Sequence, residues 1–142
     1  MFSMQLFAQV KDIGLPEIKN YHRSDYKGGT QNWGIDQDKN NNIYFANNNG
    51  LFQFDGSAWN KYSLPNHSEI HSLKAGNNDK IYVGGYNEFG FFTANDAGKL
   101  NYHSLSTLLS ENNRRQIDFI WKIHEYKQNV IFQSFKCAYI FN

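Results

Sequence analysis

The chain's most suggestive spacing is Asp36-x-Asp38-x-Asn40-x-Asn42, whose alternate oxygen-bearing side chains imitate the opening of a calcium loop. Such a loop needs a glycine at its sixth position for a sharp turn and a glutamate at its twelfth to close the cage. Asn41 and Asn47 stand there instead. The run therefore reads as a turn between strands, where Asn and Asp tolerate positive φ and bond to their own backbone. Gly84-Gly85 with Gly90 is no dinucleotide fingerprint, because no helix pattern follows it, and a strand-end turn is expected. The histidines His22, His67, His71, His103 and His124 lie far apart and share no ligand spacing. Cys137 is the only cysteine, which rules out an intrachain disulfide. With no activating neighbour it reads as a small buried apolar residue on an alternating strand. Asn66-His67-Ser68 is a formal glycosylation match within a loop. Tyr21, Tyr62, Tyr86 and Tyr102 could stack on a sugar ring; as packing residues of outer strands they would do no more than cover a sheet. No catalytic, cofactor-binding or metal-ligating set emerges, and no ligand-binding residue is assigned.

Composition points to strands as the scaffold for these groups. Aromatic residues make up 17%, with Tyr 9 and Phe 12, and Asn and Gly are plentiful. Such a mix favours β structure with many turns. Nothing in a formal net charge of +1 suggests a nucleic-acid or anionic-membrane surface. The stretch Trp33 to Trp59 alternates apolar patches (Ile35; Ile43, Tyr44 and Phe45; Leu51, Phe52 and Phe54) with turns at 36–42, 47–50 and Asp55-Gly56. Meandering antiparallel strands read this way.

The pattern recurs. Ile43-Tyr44-Phe45 returns 38 residues on as Ile81-Tyr82-Val83, and Ile35 falls on Leu73. Gly50 returns 40 residues on as Gly90, and a third copy begins at Ile120 and continues through Val130. Trp33, His71 and Trp121 occupy one place in the three copies. A four-stranded unit of about forty residues matches one blade of a β-propeller, which must stack on neighbours to bury both faces. The expected fold is all-β, an incomplete propeller of about two and a half antiparallel four-stranded blades. Strands are predicted near 33–36, 42–47, 50–55, 58–63, 70–75, 80–84, 89–94, 99–104, 119–125, 129–134 and 137–141. Leu105, Leu108 and Leu109 have helical spacing within an insertion at 104–116, where Ser106 could cap a short helix.

The division expected is 1–9 as a signal-peptide remnant, 10–30 as a leader, 31–68 as blade one, 69–116 as blade two with its insertion, and 117–142 as a partial third blade. Phe2, Met4, Leu6 and Phe7 resemble the end of a secretory apolar core, and Leu6-Phe7-Ala8 before Gln9 resembles a cleavage site. An apolar N-terminal strand is the alternative. Ile18 to Tyr21 resembles the fourth-strand pattern at Trp59 to Tyr62, so it is expected to be a ring-closing strand, unpaired here. Uncapped blade faces are expected to expose apolar surface.

Trp33-Gly34-Ile35-Asp36-Gln37-Asp38 through Asn49-Gly50-Leu51-Phe52-Gln53-Phe54-Asp55 resembles the two-component-regulator propeller repeat, and residues 81–92 resemble it more freely. Gln31-Asn32-Trp33, Glu88 to Phe92 and Trp121 to Ile123 look like the branch found in Bacteroidetes-type triple-tyrosine hybrid sensors and regulators. The resemblance covers roughly residues 12–142. It implies a periplasmic (extracytoplasmic) ligand-binding sensor propeller, followed in the family by a β-sandwich, a membrane helix and a histidine kinase or helix-turn-helix output. Partners would be a small molecule or glycan and downstream signalling domains or a partner protein. This segment would bind no nucleic acid and no cofactor, and would meet the membrane only through other regions. The alternatives are a protein-interaction propeller and, further off, a propeller lyase or dehydrogenase.

Overall fold

The computed structural model describes Gly14 and residues 18–142. Within them the chain is all-β, an incomplete propeller-like stack of three antiparallel sheets. The first sheet holds β1 (Asn32–Gln37), β2 (Ile43–Asn47), β3 (Gly50–Phe54) and β4 (Trp59–Tyr62) in chain order. The second holds β5 (Ile70–Ala75), β6 (Ile81–Gly85), β7 (Phe89–Ala94) and β8 (Leu100–Ser104). The third has β9 (Lys122–Tyr126), β10 (Asn129–Gln133) and β11 (Ala138–Phe141). The strands fall where alternation and turn chemistry place them, except that β9 starts later. Before it, Phe119 bridges to Tyr86 and the Ile120 amide donates to the Gly85 carbonyl, so that stretch pairs with the second sheet instead.

Two cores join the sheets. Tyr44, Ala46 and Leu51 of the first sheet meet Ile81, Val83 and Phe92 of the second. Tyr82 and Phe89 of the second meet Ile123, Val130, Phe132 and Tyr139 of the third. Period-2 alternation makes this possible: Tyr44 and Tyr82 face forward to the next sheet while their neighbours face back. The first strands β1, β5 and β9 lie side by side, so one residue position repeats along the inner edge of the stack. Gly84 lets the sheets approach here. A Cβ on it would lie 2.5 Å from Ile120 Cγ2, so only glycine admits the Ile120 side chain. The Gly84-Gly85 pair thus serves a strand end and a close packing contact.

Ile18 to Tyr21 forms no strand and stays unpaired, as expected of it here. Tyr21 instead packs its ring against Phe54 and Trp59, and Tyr26, ending α1 (Arg23–Tyr26), packs on Phe52 and Trp59. The aromatic face of the first sheet recruits this segment because uncovered rings cost free energy in water. The third sheet carries Tyr126 and Ile140 exposed. In the insertion, a 3-10 turn spans Ser106–Leu108, and α2 (Glu111–Arg114) is capped by Ser110 accepting from the Asn113 amide. Ser106 is no cap, because Glu88 takes its hydroxyl. The signal-peptide remnant expected over 1–9 lies outside the described residues. No helix among the described residues is long and apolar enough to cross a membrane.

Candidate functional site

Each sheet begins its first strand at the same end of the stack, and the three equivalent residues converge there. The Trp33 and His71 rings lie 4.5 Å apart, His71 and Trp121 5.0 Å, and Trp33 and Trp121 6.1 Å between centroids. Backbone irregularity directs two of them. Between β1 and β2 the register slips at Trp33, with Asn32 opposite Asn47 and Gly34 opposite Ala46. The β5–β6 ladder slips in the same way at His71. A bulge leaves the extra residue out of the ladder and re-aims its side chain. Turns at the same end add further rings. Phe119 lies 4.8 Å from His71 and 4.8 Å from Tyr86, and Phe135 lies 5.3 Å from Trp121.

Polar groups interrupt this aromatic surface. Trp33 Nε1 donates to Asn48 Oδ1 at 2.7 Å, which fixes the outer indole. Trp121 Nε1 and His71 Nδ1 are buried with no hydrogen-bond partner among the described residues. Ser68 Oγ and Tyr139 OH are likewise buried without a partner among the described residues, and each such group costs on the order of 1–3 kcal/mol. His71 is buried, its side chain 3% exposed, and its Nε2 lies 3.4 Å from a Glu69 carboxylate oxygen. Burial pushes the imidazole below its ordinary value, with Glu69 opposing. Trp33 is 37%, Tyr86 46% and Phe135 80% exposed, so flat ring area is open to solvent beside the two buried nitrogens.

Next to Tyr86 lies a cavity of about 490 Å³ whose lining includes Asn66, Glu88, Arg114 and Arg115. Glu88 is buried in its wall. Tyr102, Ser104 and Ser106 hydroxyls donate to its Oε1 at 2.9, 2.7 and 2.9 Å. Burial first, then the Glu88 charge, pushes the Tyr102 phenol far above its ordinary value, so it remains a donor.

The other residues singled out in the sequence are placed elsewhere. Asp38 accepts from the Asn40 and Asn42 amides, Asn42 Nδ2 and Tyr44 OH, and Asp36 accepts from Lys74 Nζ and the Ala75 amide. The calcium-like run is therefore a turn and an inter-sheet staple at the opposite end. Tyr62 donates to Gln53 Oε1 and packs 5.9 Å from Phe92 between sheets, as does Tyr102 at 5.0 Å from Phe92. Tyr21 belongs to the covering segment, Tyr86 lies at the aromatic end, and Tyr102 touches that end only through its hydroxyl on Glu88. His22 precedes α1, His67 sits in a turn at φ 54°, His103 stacks on Phe91, and His124 faces Gln133. Cys137 is half-buried against the second core, its amide held by Ser134 Oγ. Asn66 donates to the Tyr86 carbonyl. Among the described residues no group of three His, Cys, Asp or Glu side chains is placed to hold a metal. Glu88 escaped the sequence reading, since nothing local to it reveals that three hydroxyls 14 to 18 residues away meet there. The chain matches no protein-family model and no curated protein.

Proposed function

We propose that this chain is the ligand-binding part of an extracytoplasmic sensor propeller, serving a two-component-type signalling or transcriptional regulator, and that its ligand is a glycan fragment. The observation that carries the reading is the convergence of Trp33, His71 and Trp121 from equivalent strand starts, with two buried unpartnered nitrogens among exposed rings. Ring faces accept the C–H surface of a sugar, and fixed polar atoms inside an apolar surround select its hydroxyls. The resemblance of 31–55 to the regulator propeller repeat supports the signalling context and the periplasmic location. The chemistry is binding, with no bond made or broken.

An intrinsic-fluorescence titration of the whole chain against a panel of neutral and acidic oligosaccharides tests this. At least one should bind saturably, and Trp33→Ala should weaken it tenfold or more. Equal binding by Trp33→Ala, or no response to any oligosaccharide, would refute the reading. The solvent-exposed Phe135 favours a second reading, in which the same end grips a protein. That reading predicts loss of a protein partner, and of no sugar, in Phe135→Ser.

A further inference from the structure

We infer that the cavity beside Tyr86 receives an acidic sugar, its hydroxyls on Glu88 and its carboxylate on Arg114. This rests on the glycan reading above and narrows it to hexuronate-type ligands. Three observations carry it independently of the aromatic cluster. Glu88 is 6% exposed yet lines the cavity, and all three hydroxyl donors converge on one oxygen, Oε1. Its second oxygen receives none of them and retains the acceptor capacity of a carboxylate. A carboxylate positioned by three donors is a fixed acceptor, suited to vicinal hydroxyls.

The cation side is asymmetric. Arg115 pairs with Glu111 along α2, so its charge is already matched. Arg114, also on the cavity, has no ion pair among the described residues. A guanidinium binds a carboxylate through a planar fork, which a neutral sugar cannot offer. Tyr86 links the two regions: it lines the cavity and packs on Phe119 of the aromatic cluster. One ring face, one inner acceptor and one outer cation together describe a pyranose that carries an acid. A volume of about 490 Å³ lies within the range of small-ligand sites.

The test is ligand-observed NMR on the whole chain with glucuronic acid, glucose and glucosamine as probes, repeated with Arg114→Gln, Tyr86→Ala and Glu88→Gln. Glucuronic acid should bind about tenfold tighter than glucose, a difference of ~1.4 kcal/mol. Arg114→Gln should erase that preference, and Tyr86→Ala should weaken both sugars. Glu88→Gln should weaken both as well; if it unfolds the protein, the exposed Arg114→Gln decides alone. Equal affinity for glucuronic acid and glucose, tighter binding of glucosamine, or a preference that survives Arg114→Gln would overturn the inference. If a neutral sugar binds and Trp33→Ala abolishes it while Arg114→Gln does nothing, this inference fails and the sensor reading stands. If none of the three binds, this inference fails and the oligosaccharide panel decides the sensor reading.

Discussion

The two ends of the sheet stack are made from the same repeat and present different groups. At the end where β1 turns into β2, carboxylates and amides are bonded within the fold. Asp38 takes four donors, Asp55 takes the Ser57 amide, the Ser57 hydroxyl and the Ala58 amide, and Asn95 takes the amides of Ala97 and Lys99. Burial alone would raise the Asp38 carboxyl, but the bonds from Asn42, Tyr44 and Asn40 hold it below its usual range. Lys74 and Ala75 do the same for Asp36, tying the first sheet to the second. At the opposite end Asn47, Asn66 and Glu88 are also bonded within the fold, but rings open the first strands, two of those strands bulge, and His71 Nδ1 and Trp121 Nε1 have no partner among the described residues. On the function proposed above, the turn end specifies the fold and the two unpartnered nitrogens of the aromatic end serve the ligand.

Mutations can separate the two ends. The largest effect should come from Gly84→Ala, whose new Cβ meets Ile120 at 2.5 Å. Overpacking of this kind costs about 3 kcal/mol, read as a lower denaturant midpoint. Because Ile120 precedes Trp121, the variant should also lose ligand response. Asp38→Ala removes four accepted bonds at the turn end and should cost about 2 kcal/mol while leaving ligand affinity unchanged. Trp33→Ala should do the reverse, changing stability by less than about 1 kcal/mol because the ring is partly exposed, while weakening the ligand at least tenfold. If Asp38→Ala weakens the ligand as much as Trp33→Ala does, the division between the ends is wrong.

The smallest effect is a pH slope. Burial lowers the His71 pKa below its ordinary 6.5, against the opposing Glu69, so the unfolded chain binds the proton more readily. Its stabilising contribution is present above about pH 6.5 and is lost as pH falls through the folded-state value. Asp36 and Asp38 shift the other way relative to their charge: their contribution persists above 3.8 and fades only in stronger acid. His71→Leu should therefore flatten the stability curve below about pH 6.5 and leave the limb set by Asp36 and Asp38 in stronger acid unchanged. Chemical denaturation at a series of pH values measures both limbs.

Strand positions were legible because each is short, alternates, and ends at Asn, Asp or Gly. The equivalence of Trp33, His71 and Trp121 was legible too, from the spacing of the copies alone. Their meeting required more: the bulges at Trp33 and His71 are a mismatch between two strands, which neither strand's sequence reveals. The start of β9 was misplaced because Phe119 and Ile120 pair with the turn after β6, a tertiary contact that overrides the local pattern. The same holds for Ser106, which looks like a cap locally and is taken by Glu88. Ser110, four residues later, caps α2 instead. The aromatic cover at Tyr21 and Tyr26 depends on the exposed rings of the first sheet, far along the chain.

The chain's three tryptophans permit a direct test of the aromatic end. Trp33 and Trp121 belong to it, whereas Trp59 packs with Tyr21 and Phe54 on the far face of the first sheet and serves as an internal control. The measurement is a proton–nitrogen NMR titration of the three indole N–H signals with an oligosaccharide that binds the whole chain. The account predicts that Trp121 Nε1, buried and unpartnered, moves most as it gains an acceptor, that Trp33 moves less, and that Trp59 stays in place. Movement of Trp59 alone, or equal movement of all three, would contradict the claim that this end of the stack is the binding site.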